Sequence, residues 1–232
     1  MIRDCFLATS LALAIGFSCN GGRLDAFAEQ PAGVSGNGGS TATGGRGGTG
    51  IEPTGGEGGV DSDPDMLLVD NFEDGNQVAL IQHAEWYISH NNTGVQNIAV
   101  EMPAVELLGS VYSMHTSGVG FEDSGPSLVL GIAGNDASID VSAYAALTFQ
   151  ARAEAGSARN ILFAFLVGSQ HFAVPLTLGT EWGIHTIPFT AAIPVQSGPD
   201  TRFDPTRLAA IQFVAPERES FDFWLDDLAF VK

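Results

Sequence analysis

Leu147-Thr148-Phe149-Gln150-Ala151-Arg152 decides the fold class. Apolar and polar side chains alternate here one for one. In a strand, successive side chains point to opposite faces, so Leu147, Phe149 and Ala151 share one face and Thr148, Gln150 and Arg152 the other. One face then packs inward while the other meets water, as in an antiparallel sheet covered on one side. Comparable short runs, bounded by Gly, Pro, Asn and Asp, recur at 66–70, 86–89, 111–116, 127–132, 146–153, 160–167, 171–176, 185–189, 209–214 and 221–231. Helical periodicity is scarce after Asp65, and no propeller-like or solenoid-like repeat is present. About ten strands with turn signals between them predict an all-β, two-sheet antiparallel sandwich.

The rest of the chain is built differently. Fifteen of the 29 glycines fall between Asn20 and Val60, a stretch whose one aromatic residue is Phe27. Such a segment buries too little apolar surface to offset the entropy of ordering it. The sequence therefore divides into a leader (1–19), a Gly-rich disordered linker (20–64) and one folded domain (65–232). The domain carries nearly all the Trp, Tyr and Phe.

Arg3 and the apolar run from Phe6 to Phe17 form a signal peptide. At about a dozen residues the run is too short to span a bilayer, which takes about 20. Two processing sites compete. Gly16-Phe17-Ser18-Cys19 resembles the lipobox of bacterial lipoproteins, in which the cysteine is acylated and becomes the new N-terminus; Ala26-Phe27-Ala28 is an ordinary A-x-A pattern. The only cysteines, Cys5 and Cys19, both precede the domain, so neither can staple it. The first site makes Cys19 a lipidation site and places the protein in the cell envelope, as an outer-membrane lipoprotein or at the extracellular face. The linker behind it would be a flexible tether spanning roughly 35 Å.

From Asp65 onward there are 20 Asp and Glu against six Lys and Arg, a formal charge of −14. That surface repels phosphate backbones and anionic head groups, which argues against nucleic acid and leaves the membrane within reach only through a lipid anchor. Signs of catalysis are equally sparse. Gly168-Ser169-Gln170-His171 lacks the strand-to-helix elbow that presents a serine nucleophile. There is no H-E-x-x-H, Cys-x-x-Cys or P-loop, and His83, His90, His115, His171 and His185 lack zinc-like spacing. With 20 acidic residues, some pair of carboxylates at glycosidase separation arises by chance, so such a pair carries no weight.

Four segments in order add a resemblance: Val69-Asp70-Asn71-Phe72-Glu73-Asp74-Gly75; Ile139-Asp140-Val141-Ser142-Ala143-Tyr144; Trp182 through Ile187-Pro188-Phe189; and Phe223-Trp224-Leu225-Asp226-Asp227-Leu228-Ala229-Phe230. Together they bracket the domain and resemble the galactose-binding-like jelly-roll modules, in particular family 11 carbohydrate-binding modules and the complex-I intermediate-associated domain. The resemblance implies a two-sheet jelly roll, binding of polysaccharide or another glycan, and no catalysis. Some such domains serve only in protein assembly, so an adaptor is the alternative and a polysaccharide hydrolase a distant third.

The resemblance also places an acidic residue at Glu73 and at Asp226, where a structural Ca2+ would tie the first and last strands together. Calcium takes several hard oxygen ligands, which two carboxylates and neighbouring carbonyls supply. Asp70, Asp74 and Asp227 lie nearby, but Asp226 and Asp227, adjacent in a strand, point to opposite faces. Trp182 and Trp224, inside the family motifs, read as core. The glycan surface is then expected on a sheet face opposite the core, with rings or polar edges from Tyr112, His115 and His171 and hydrogen-bonding groups from Gln150, Arg152, Gln170 and Gln212. Tyr112 and His115 are three apart and share a face only if a bulge intervenes.

Overall fold

The computed structural model describes residues 65–90, 93–122, 125–132, 138–195 and 202–232. In chain order the strands are β1 (Met66–Asp70), β2 (Trp86–Ser89), β3 (Val95–Glu101), β4 (Ser113–Val119), β5 (Ser127–Gly131), β6 (Ala146–Ala153), β7 (Asn160–Val167), β8 (Gln170–Thr177), β9 (Gly183–Pro188), β10 (Ile193–Pro194), β11 (Leu208–Val214) and β12 (Phe221–Val231). Single 3-10 turns at Phe189–Ala191 and Pro205–Arg207 are the only helical pieces among the described residues. The signal peptide, Cys19 and the linker lie outside the described residues.

The strands form two antiparallel sheets. Sheet one runs β3-β4-β12-β6-β9, with β1 also on β12; sheet two runs β10-β8-β7-β11-β5-β2. The long β12 organises the first. Its residues Phe221 to Leu225 pair with β4, Leu228 to Val231 pair with β1, and β6 runs along its other edge. The register with β6 shifts between Asp226 and Ala229, and Asp227 has φ 49°. This bulge reverses the alternation, so that Phe221, Phe223 and Leu225 before it and Leu228 and Phe230 after it all face inward and are buried.

Aromatic rings dominate the interior between the sheets. Phe213 of β11 packs edge-on against Phe149 of β6, with ring centroids 5.1 Å apart, and against Phe163 of β7 at 5.2 Å. Phe163 meets Phe165 at 4.7 Å, and Trp86 of β2 lies 6.4 Å from Phe213. Edge-to-face contacts of this kind add to the burial of apolar area. At Gly118 of β4 a Cβ would stand 2.6 Å from the Phe221 ring and from the Val95 carbonyl, so only glycine fits between β3 and β12 there.

Two strands are absent from the sequence reading, β3 and the two-residue β10, and Trp182 departs from it. Trp182 is half-buried just before β9, where its indole N–H donates to the Val105 carbonyl at 2.8 Å, and it lies outside the core. Trp224 is buried but points out of the sandwich, since its partners across the sheet, His115 and Arg152, sit on the outer face.

Phe213→Ala removes a fully buried ring with three aromatic neighbours and is expected to cost about 3–5 kcal/mol in urea unfolding of the full chain. Ile184→Ser, at a position 75% exposed on β9, is expected to change stability by less than about 0.5 kcal/mol. Equal effects from the two substitutions would contradict this assignment of the core.

Candidate functional site

The seven expected ligand residues do not share a face. Registers place His115 of β4 and Gln150 and Arg152 of β6 on the outer face of sheet one, whereas His171 of β8 and Gln212 of β11 lie on the outer face of sheet two. Gln170 pairs with Val167, whose side chain is buried, and so faces the sandwich interior at the end of β8. Tyr112 precedes β4, with its ring beside Gly75. The expectation of one composite surface is therefore corrected: sequence alternation shows which side chains leave the core, but not which sheet they leave it from.

The outer face of sheet one is largely occupied by the protein itself. The segment 102–112 leaves β3 at one edge, yet its Val105 carbonyl accepts from Trp182 beside β9 at the other, so it straps across β12 and β6. On this face Trp224 and Arg152 are only 5% and 3% exposed. Arg152 donates through Nη1 to Glu154 Oε1 (2.7 Å) and through Nε to the Thr180 carbonyl (3.2 Å). Gln150 donates to Asp227 Oδ2 at 2.8 Å. His115 stacks on Trp224, centroids 4.0 Å apart and planes 4° from parallel, with Nδ1 2.6 Å from Glu101 Oε1 and Nε2 2.9 Å from Asp222 Oδ1. Arg152 and Gln150 are thus engaged within the protein, which corrects their expected role as donors projecting from an open face.

Where the strap returns to β4, oxygen atoms converge. Glu73 Oε1 accepts from Ser110 Oγ (2.7 Å) and the Val111 N–H (2.8 Å), and Asp226 Oδ2 accepts from Ser113 Oγ (2.7 Å). Ser110 Oγ also stands 2.7 Å from Asp226 Oδ2 and 2.8 Å from the Tyr112 carbonyl. A hydroxyl has one proton, and three acceptors surround this one. A set of hard oxygens short of protons fits a calcium ion. No group of three His, Cys, Asp or Glu converges among the described residues, so carbonyl and hydroxyl oxygens would have to complete the coordination. Asp227, exposed and turned to Gln150, is separated from this cluster by the bulge.

Two buried carboxylates are held above the usual range. Burial raises Asp226 to about 6 against the hydrogen bonds from Ser113, Ser110 and the Asp227 N–H, with the charge of Asp227 adding to the rise. Asp70 is also raised to about 6 by burial, against bonds from the Phe72 N–H (3.0 Å) and the Trp86 indole (2.8 Å). Asp70 thereby anchors the core tryptophan. Glu73 goes the other way: burial pushes its carboxyl up, but the bonds from Ser110, Val111 and Tyr112 outweigh it and hold the pKa down.

Sheet two presents a more open outer face. Cross-strand pairing aligns Tyr87, Val129, Gln212, Ala164, Ala173 and Ile193 in one row over six strands, about 24 Å at the usual strand spacing. The middle of the row is small or sunk, whereas Tyr87 is 48% exposed at one end and Ile193 67% exposed at the other. The adjoining row, Gly131, Ala210, Leu166 and His171, lies parallel to it. A Cβ at Gly131 would sit 3.5 Å from Tyr87 Cε1 and 3.9 Å from its hydroxyl, so the missing side chain gives the ring room across the sheet surface. Burial lowers the pKa of His171 in this face. Tyr87 was missed in the sequence, although Trp86-Tyr87-Ile88-Ser89 carries the signal: if Trp86 is in the core, Tyr87 faces out.

No protein-family model matches the chain, and no curated protein does. Among solved structures it is similar to a family 11 carbohydrate-binding module from Clostridium thermocellum in complex with a β-1,3-1,4-mixed-linked tetrasaccharide, at 18% identity and TM-score 0.54, covering 72% of this chain and 95% of that one. The family 11 module of a cellulosomal cellulase from the same organism gives 14%, 0.53, 72% and 94%. A family 30 module of another of its cellulosomal cellulases gives 16%, 0.52, 72% and 98%. At these identities the likeness establishes the fold, the two-sheet jelly-roll sandwich expected from the sequence.

The shifted carboxylates set a pH profile. A carboxylate whose pKa is raised on folding makes the native state bind more protons, so stability falls as pH rises from about 4 to about 6 for Asp70 and Asp226. Glu73 and Glu154, both lowered, contribute stability above about 4.5 that is lost as pH falls. Burial lowers the pKa values of His171 and His185, which acts in the opposite direction up to about pH 6.5, so the carboxylate contribution is read by difference: in chelator, Asp70→Asn should make the melting temperature rise more, or fall less, between about pH 4 and 6 than in the unsubstituted chain. A pH dependence of the melting temperature that Asp70→Asn leaves unchanged would contradict the raised value.

Proposed function

We propose that residues 65–232 form a non-catalytic carbohydrate-binding domain that holds a polysaccharide along the outer face of sheet two. The observation that carries this reading is the half-exposed Tyr87 ring beside Gly131, at the head of a row six strands long. A flat ring stacks on the apolar C–H face of a sugar, while Gln212 in the row and His171 beside it supply polar edges for hydroxyls. The tetrasaccharide named with the similar family 11 module supports glycan as the ligand class. A protein-binding adaptor of the same fold is the second reading, favoured by the small side chains at the centre of the row.

Tyr87→Ala is expected to weaken retention in electrophoresis gels containing mixed-linkage β-glucan by about three- to tenfold, the range of one aromatic contact, with the melting temperature unchanged. Retention unaffected by Tyr87→Ala and by Gln212→Ala would move the ligand off this face. Absence of retention on every polysaccharide tried would favour the adaptor.

Calcium belongs to the same proposal. Glu73 and Asp226 would hold it with the Ser110 hydroxyl and the Tyr112 carbonyl; when bound, the ion supplies the positive charge that this oxygen cluster lacks. Because such an ion binds the native state alone, calcium should raise the melting temperature at pH 7 above that in chelator, and Asp226→Asn should abolish the difference. Superimposable melting curves would refute the site.

At the N-terminus, acylation of Cys19 would hold the domain at the cell envelope on its glycine-rich tether. Cys19→Ser should then shift the expressed protein from the membrane to the soluble fraction, and unchanged membrane association would count against acylation.

A further inference from the structure

The outer face of sheet one is open beyond the strap. A depression of about 430 Å³ lies where β3, β4 and the start of β12 meet the turn between β6 and β7. Registers align three of its polar side chains in a row, Asn97 with Ser117 and Ser117 with Asp222, and the Glu154 N–H donates to the Asp222 carbonyl at 2.8 Å to continue it. Beside this polar row, Val95 and Val119 face each other across β3 and β4, 62% and 57% exposed. The depression therefore has an apolar part beside a polar one that carries one amide, two carboxylates and the hydroxyls of Ser117, Ser157 and Ser220.

The carboxylates are held from behind. Asp222 Oδ1 is 2.9 Å from His115 Nε2, and Glu154 Oε1 accepts from Arg152 (2.7 Å) and from the Trp224 indole (3.2 Å). His115 is fixed in turn by Glu101 and by stacking on Trp224. Each carboxylate thus spends one oxygen on a basic partner, while Asp222 Oδ2 and Glu154 Oε2 have no side-chain partner among the described residues. Carboxylate acceptors that are each already engaged through one oxygen and held in fixed orientation suit the hydroxyls of a neutral molecule, and they repel an anion. A volume within the few hundred Å³ of small-ligand sites, with valines beside the acceptors on one floor, matches a sugar ring that offers C–H along one part and hydroxyls along its edge.

We propose that this depression is a second saccharide-binding site, separate from the Tyr87 face, that takes one or two rings of a neutral glycan through Asn97, Ser117, Asp222 and Glu154. His115 and Arg152 act as positioning residues for the two carboxylates. The proposal rests on reading the domain as glycan-binding, and it gives the sandwich a sugar contact on each of its two outer faces.

The test is an amide chemical-shift titration of the isotope-labelled full-length chain with the β-1,3-1,4-mixed-linked tetrasaccharide, and with cellotetraose, xylotetraose and mannotetraose alongside. Two sets of shifts are expected, one around Tyr87 and Gln212 and one around Gly156 and Ser157. Tyr87→Ala should erase the first set and leave the affinity of the second within about twofold. The pair Asn97→Ala and Ser117→Ala, whose side chains make no hydrogen bond among the described residues, should weaken the second set at least about fivefold and leave the first. Shifts confined to the Tyr87 face would overturn the second site and leave the proposed function standing. Shifts confined to the depression would uphold this site and remove sheet two as the binding face. No shifts with any of the four sugars would overturn both.

Discussion

The bulge at Asp226 and Asp227 is the constraint on which the rest of the domain depends. β12 is eleven residues long and lies at the centre of sheet one. Without an extra residue, strict alternation would turn Leu228 and Phe230 outward as Phe221, Phe223 and Leu225 turned in. The bulge restores all five to the core. It also falls where one neighbour, β4, ends and the other, β1, begins, so the edge of β12 opens there. Asp226 fills that opening with Ser113, Ser110 and, through Ser110, Glu73. One irregularity thus fixes the core and brings the turn after β1 to the end of the strap.

The strap sets the two outer faces apart. It reaches Trp182 across the outer face of sheet one, where Arg152 and Trp224 are buried and both hold Glu154. Sheet two carries no comparable crossing among the described residues, and its small central side chains leave a row along which an extended chain can lie. A polymer of sugars meets such a surface through many weak contacts, each a stacked ring or a hydroxyl bonded to a planar polar group. The acidity of the domain is compatible with this, since neutral glycans are indifferent to it while nucleic acids and anionic lipids are repelled.

The fold was legible because burial is written in alternation. The runs at 66–70, 86–89, 146–153, 160–167 and 221–231 coincide with strands at both ends. β3 escaped because Val95-Gln96-Asn97-Ile98 breaks the alternation: Gln96 turns inward and is buried while Asn97 faces out, a polar pair that reads as a turn. The site was less legible. Gln150 and Gln212 have the same local signature, a polar residue between apolar ones, yet they emerge from opposite sheets, and only long-range pairing decides which. Trp224 was read as core from its motif and is buried, but on the outer side, under the ring of His115. Asp226 and Asp227 were expected on opposite faces, but the bulge leaves both on the outer side, between the inward-facing Leu225 and Leu228; they part because Asp226 is buried against Ser113 and Ser110 while Asp227 is exposed and accepts from Gln150.

A crystal structure of the full chain grown with the mixed-linkage tetrasaccharide tests the central claim most directly. The account predicts sugar density on the outer face of sheet two, with a pyranose ring stacked on Tyr87 and hydroxyls within hydrogen-bond distance of Gln212 or His171. An ordered sugar elsewhere, with the row from Tyr87 to Ile193 bare or covered by another protein molecule, would contradict it.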